Sequence, residues 1–172
     1  MSRHPARDTK KARNSRRGTW YGHGQTTTVE KDGVGRFIDD VVYTFADVSL
    51  VSMPLLVFVA ISANTTHFGV KNSAMIAWVT MVVGAAMIRG GWVMPLGTDV
   101  PGWVSLSPSL VLLRLCYYNL ALALAAYGGG AIAETLSLPL ISVLFTFLFA
   151  AIAIGVFPRV ADEFYRHVSD ST

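Results

Sequence analysis

Three polar side chains lie inside apolar stretches of the sequence, where water cannot solvate them. Asp47 is six residues past the start of one stretch, and Arg114 is five residues past the start of another. Asn119 lies near the middle of the second of these stretches. A formal charge at the centre of a lipid bilayer costs about 2.5–3.5 kcal/mol on insertion scales. These three residues are therefore the candidates for chemistry inside a membrane.

Three interpretations of Asp47 and Arg114 remain open. Arg114 can extend to the headgroups while Asp47 lies in the interface, because long basic side chains reach polar surroundings from apolar positions. Alternatively, the two residues lie at similar depth and form an ion pair, for which Arg89 is a competing partner of Asp47. The third interpretation is a titrating or substrate-binding site. For Asn119 we expect a partner across a helix interface, with a polar pathway as the alternative.

Other catalytic and metal-binding patterns are missing from the sequence. It contains no His-Glu-x-x-His, Gly-x-Ser-x-Gly or phosphate-loop motif. Cys116 is the only cysteine, so chemistry that needs paired thiols is excluded. The four histidines are scattered over polar segments and share no helical face. We therefore expect no metal, no cofactor and no enzymatic activity.

Four apolar blocks contain or flank these side chains, at 41–62, 73–93, 109–127 and 138–157. Each is about 20 residues long, the length that crosses a hydrocarbon core of about 30 Å as a helix. The blocks lack the polar faces that helices of a soluble bundle show. The sequence thus predicts an all-α integral membrane protein, with a bundle of four transmembrane helices at 37–157.

Basic residues are distributed asymmetrically around these blocks. Nine of the 14 Lys and Arg residues precede the first block, and the segments 63–72 and 128–137 together hold only Lys71. Cytoplasmic segments carry such an excess. We predict a multi-pass protein of the plasma membrane with its N- and C-termini in the cytoplasm. In that orientation 63–72 faces outward, where Asn64 weakly matches an N-glycosylation acceptor.

The segments on either side of the bundle are polar. Residues 1–36 are predicted to form a basic, largely disordered cytoplasmic arm, and 158–172 a short cytoplasmic amphipathic tail. The arm is expected to bind anionic lipid headgroups or to serve only in setting the topology. Binding of nucleic acid is not expected, because no recognition fold accompanies the charges. The residues predicted to contact the membrane surface are Arg3, Arg7, Lys10, Lys11, Arg13, Arg16 and Arg17.

Local signals add four further expectations. Pro54 is expected to kink the first span and leave a carbonyl for another partner. The stretch before that span begins with an interfacial amphipathic turn in which Phe37, Val41 and Phe45 lie opposite Asp40, Thr44 and Asp47. A short hairpin is predicted at 26–37 with its turn at 31–33. The glycines at 128–130 are expected to end the third helix or, alternatively, to form a hinge.

These features favour a small polytopic membrane protein that acts as a non-enzymatic accessory, scaffold or assembly subunit. Its predicted partners are membrane lipid and either another membrane protein or further copies of itself. The alternative is a small oligomeric transporter or channel that uses the intramembrane polar residues Asp47, Arg114 and Asn119.

Overall fold

The fold is known from a computed structural model, which describes residues 19–21, 28–62, 69–99 and 108–169. Two short strands, β1 (Thr19–Tyr21) and β2 (Thr28–Glu30), pair antiparallel. Four helices follow. They are α1 (Gly33–Ser62), α2 (Val70–Arg89), α3 (Pro108–Leu136) and α4 (Pro139–Ser169).

The hairpin lies earlier in the chain than the sequence predicts. Its strands are Thr19–Tyr21 and Thr28–Glu30, whereas the predicted turn at 31–33 leads into α1. Asp32 explains the difference, because its Oδ1 accepts a 2.7 Å hydrogen bond from the backbone N–H of Gly35. A side chain in this role caps a helix N-terminus. As a result α1 begins at Gly33, four residues before the predicted start of the helical domain.

Each predicted block coincides with one helix except at its ends, since α2 ends at Arg89 and α4 begins at Pro139. All four helices are long and apolar enough to cross a membrane. The two central helices, α2 and α3, pack against each other and against both outer helices. The outer helices α1 and α4 lie on opposite sides of this central pair and have almost no contact with one another. The four helices therefore indicate a multi-pass membrane protein built as a four-helix bundle.

The surface of the bundle differs from that of a soluble protein, although its core is also largely apolar. Large apolar residues such as Leu50, Ile61 and Leu140 are exposed, whereas Ser52 and Thr146 are fully buried. In water such extensive apolar exposure leads to association. In lipid it carries no such penalty, and small or polar residues fill the helix interfaces instead.

The glycines at 128–130 neither end α3 nor interrupt it, because the helix continues to Leu136. A Cβ atom at Gly129 would collide with the hydroxyl groups of Thr146 and Ser73. The glycine thus allows α2 and α4 to approach α3 closely. The chain instead reverses at Ser137, which has a left-handed φ of 53°. The prediction that the glycines end the third helix is therefore wrong, whereas the alternative of a hinge stays a prediction.

The predicted tail at 158–172 is not separate from the fourth span. Helix α4 continues through the buried Pro158 to Ser169. Proline removes a backbone donor inside a helix. One turn earlier, the carbonyl of Gly155 accepts a 2.8 Å hydrogen bond from the N–H of Leu96 in the α2–α3 connection.

Candidate functional site

Helix α1 is attached to α2 and α3 by a row of polar contacts, which we call the polar seam. Its members on α1 are Asp40, Thr44, Asp47, Ser49 and the backbone beside Pro54. The first three lie at i, i+4 and i+7, so they share one face of the helix. That face points into the bundle and does not form the interfacial turn that the sequence predicts.

The structure brings Asp47 and Arg114 together in the seam. Nη1 of Arg114 lies 3.0 Å from Oδ1 of Asp47. The arginine side chain is only 4% exposed, whereas the aspartate side chain is 35% exposed. The guanidinium is therefore buried among the helices and does not extend to the end of the bundle. A buried charge of this kind requires its partner, since removing either residue leaves the other uncompensated.

Arg89 does not compete for Asp47, because it binds Asp40. Its Nε lies 3.3 Å from Oδ1 of Asp40, and its guanidinium lies 4.1 Å from the centroid of the Tyr43 ring. Asp40 is almost completely buried. From the sequence, Asp40 was expected at the membrane–water interface, and its pair with Arg89 was not predicted. The i, i+7 spacing to Asp47 was the signal that both carboxylates face the same neighbours.

Two hydroxyl groups complete the seam between α1 and α2. The Thr44 hydroxyl donates to the carbonyl of Val82 at 3.1 Å, and it also lies within hydrogen-bond distance of the Asp40 carbonyl in its own helix. The Ser49 hydroxyl accepts a 3.2 Å hydrogen bond from Nε1 of Trp78. Because these bonds lie at different levels, they fix both the rotation and the height of α1.

The Asn119 side chain takes the place of a backbone hydrogen bond in α1. Its Nδ2 donates to the carbonyl of Val51 at 2.8 Å, and its Oδ1 accepts from the N–H of Leu55 at 3.1 Å. In a straight helix this N–H and this carbonyl bond to each other. They lie beside Pro54, whose ring disturbs the helical hydrogen bonds. The amide thus compensates for the proline and binds α1 to α3.

Beyond the seam, two buried hydroxyl groups lack a hydrogen-bond partner within the described residues. These are the hydroxyls of Ser52 and Tyr118. The Tyr118 ring packs 4.8 Å from that of Phe157, and its hydroxyl lies within electrostatic reach of Asp47 and Arg114. Among the described residues, no group of three metal-binding side chains is present.

Several predicted site residues lie outside the described residues. Asn64 belongs to the connection between α1 and α2, and the predicted membrane-surface residues all precede β1. The latter are Arg3, Arg7, Lys10, Lys11, Arg13, Arg16 and Arg17. The structure therefore places Asp47, Arg114 and Asn119 in the same row of contacts, the polar seam. Asp40 and Arg89 also belong to this seam.

Reversing the charges of the buried pair tests its role in stability. We expect Asp47→Arg to lower the stability of the bundle by about 3–5 kcal/mol, because two cations then face each other. Adding Arg114→Asp should restore much of the loss. Thermal unfolding in mild detergent measures both effects. The control is Glu163→Arg, which alters an exposed pair and should change stability by less than about 1 kcal/mol. A double variant no more stable than Asp47→Arg would contradict the pair.

A double-mutant cycle tests whether Asn119 compensates for Pro54. Asn119→Leu should destabilise the bundle by about 1–2 kcal/mol. In a Pro54→Ala background the same change should cost less, since the Leu55 N–H and the Val51 carbonyl can then bond to each other. Unfolding in mild detergent gives the coupling energy, and Asn72→Leu at an exposed position of α2 is the control. Equal costs in both backgrounds would show that the amide acts independently of the proline.

Comparison with known proteins gives one finding. No curated protein and no solved structure matches the chain. A family model described as "Domain of unknown function (DUF8215)" matches residues 31–164. The matched range covers α1, α2 and α3 completely and most of α4, and it contains the whole polar seam. Because the match extends over most of its length, the chain belongs to the DUF8215 family.

Proposed function

We propose that the protein is a non-enzymatic membrane subunit that acts as a scaffold, accessory or assembly component. One observation carries this proposal: Asp47, Arg114 and Asn119, the polar residues inside the apolar blocks, are engaged in bonds between helices. Arg114 binds Asp47, and Asn119 binds the backbone of α1. Transport requires polar groups that exchange partners along a path, whereas these contacts hold α1 in one position.

A specific observation also favours the alternative, a small oligomeric transporter or channel. The Asp47 side chain is 35% exposed, and the Tyr118 hydroxyl is buried without a hydrogen-bond partner in the described part of the chain. Polar groups inside a membrane often mark pathways. Solute or proton flux into vesicles containing the protein, abolished by Asp47→Asn, would favour transport over the scaffold function.

We further propose a multi-pass protein of the plasma membrane with both termini in the cytoplasm. The distribution of basic residues supports this orientation. Asp40 and Arg89 then lie at the cytoplasmic end of the bundle. The basic arm lies on the same side, where each Lys or Arg near an anionic leaflet contributes about 1 kcal/mol at low salt. Contact of the arm with anionic headgroups is thus part of the proposal.

Purification in mild detergent tests the scaffold function. We expect the 18.6 kDa chain to elute in a discrete larger assembly, either with another membrane protein or as several copies. Crosslinking in intact membranes before extraction controls for association caused by detergent, and mass spectrometry identifies the components. A monodisperse monomer with no crosslinked partner would contradict the proposal.

Cysteine labelling tests the orientation. Single cysteines are introduced as Ser2→Cys or Thr66→Cys in a Cys116→Ala background. An impermeant maleimide should label the cysteine at position 66 on intact cells, and that at position 2 only after permeabilisation. A fluorophore at position 2 should also report salt-sensitive binding to vesicles with anionic lipid. Labelling of position 2 on intact cells would reverse the orientation.

A further inference from the structure

The two carboxylates of the polar seam differ in how completely they are bound. The Asp40 side chain is 2% exposed and is sealed between α1 and the end of α2. Asp47 receives one bond within the described residues, from Nη1 of Arg114 to its Oδ1. Its Oδ2 receives no donor from the described part of the chain. An ionised carboxylate accepts several hydrogen bonds, so Asp47 has acceptor capacity that this part of the chain does not use.

The Asp47 side chain is partly exposed on the bundle surface, at a considerable depth along α1. Asp47 is seven residues beyond Asp40, which corresponds to about 10 Å along α1. Its surroundings are apolar, with Leu50 and Leu115 exposed on the two helices beside it. A short aspartate side chain cannot extend to the headgroups as lysine and arginine do. An acceptor in this position gains most from a donor that is itself held within the membrane.

The chemistry of the pair selects the type of donor. Arg114 already neutralises Asp47, so a second cation would leave a net charge in lipid. An uncharged amide or hydroxyl group would add a charge-assisted hydrogen bond without that cost. A second copy of the chain is poorly suited to supply it. On α1 and α3, the exposed uncharged donors nearest Asp47 are the thiol of Cys116, which donates weakly, and the phenol of Tyr43. Tyr43 lies one turn, or about 6 Å, nearer the start of α1, and its ring is held against the guanidinium of Arg89.

We propose that the surface of α1 and α3 around Asp47 binds a transmembrane helix of a second protein, through an uncharged amide or hydroxyl side chain that donates to Oδ2 of Asp47. This inference rests on the proposed scaffold function and names the surface that performs it. Association then depends on one polar contact within an apolar surface, as is usual between helices in membranes.

A synthetic transmembrane helix tests the contact directly. The probe is a leucine-based peptide with one asparagine at the depth of Asp47, and energy transfer to the labelled full-length chain in vesicles measures binding. We expect it to bind about tenfold more tightly than an all-leucine peptide or a peptide with asparagine in the opposite leaflet. Peptide alone, with donor and acceptor labels, corrects for self-association. Equal binding of the three peptides would overturn the inference.

A paired substitution supplies the matched control on the protein. Asp47→Leu with Arg114→Leu removes both charges and leaves neither unpaired, and such replacements are often neutral for stability. This variant should bind all three peptides equally weakly, with unfolding in detergent checking that it is folded. Retained preference for the asparagine peptide would refute the role of Asp47. If a natural partner copurifies with this variant as well as with the parent protein, the inference fails while the scaffold function stands.

Discussion

The attachment of α1 depends on polar bonds because lipid provides no hydrophobic force between helices. A leucine on α1 is as well solvated by acyl chains as by a leucine on α3, so apolar contact alone does not determine where α1 lies. The position of α1 is instead determined by the two ion pairs of Asp40 and Asp47 and by the hydrogen bonds of the Asn119 amide. These bonds lie along one face of α1. They therefore determine which face meets the bundle and at what height.

The two helices with an internal proline, α1 and α4, share one feature of their backbone hydrogen bonding. In α1 and α4 the carbonyl three residues before the proline accepts a hydrogen bond from outside the helix. The donor is a side chain of α3 for Val51 and a loop N–H for Gly155. Proline leaves the carbonyl four residues earlier without its donor and disturbs the adjoining helical bonds, so the carbonyl three residues earlier accepts from another element. In this fold, the backbone just before each internal proline therefore bonds to another element, and neither the exposed Pro54 nor the buried Pro158 ends its helix.

The sequence was most informative about the depth of each residue in the membrane. It was least informative about the rotation of each helix about its own axis. The run lengths of apolar residues predicted four spans, and equal depth suggested Arg114 as a partner of Asp47. Rotation decides whether Asp40 faces lipid or protein, and it cannot be derived from hydropathy when apolar residues cover the whole helix. The glycines at 128–130 were misjudged for a similar reason. Their role depends on Ser73 and Thr146, which belong to other helices.

The unequal environments of Asp40 and Asp47 follow from the position of α1 at the edge of the bundle. Near its N-terminal end, the helix is covered by the end of α2, and Asp40 is sealed. Two turns further on, α1 meets α3 without cover from α4, and the Asp47 side chain stays partly exposed. The contacts of Thr44 and Asn119 on either side hold this part of α1 in place. A binding group gains affinity when its supporting residues fix its orientation before the partner arrives. The bonds that stabilise the edge helix therefore also orient its unused acceptor.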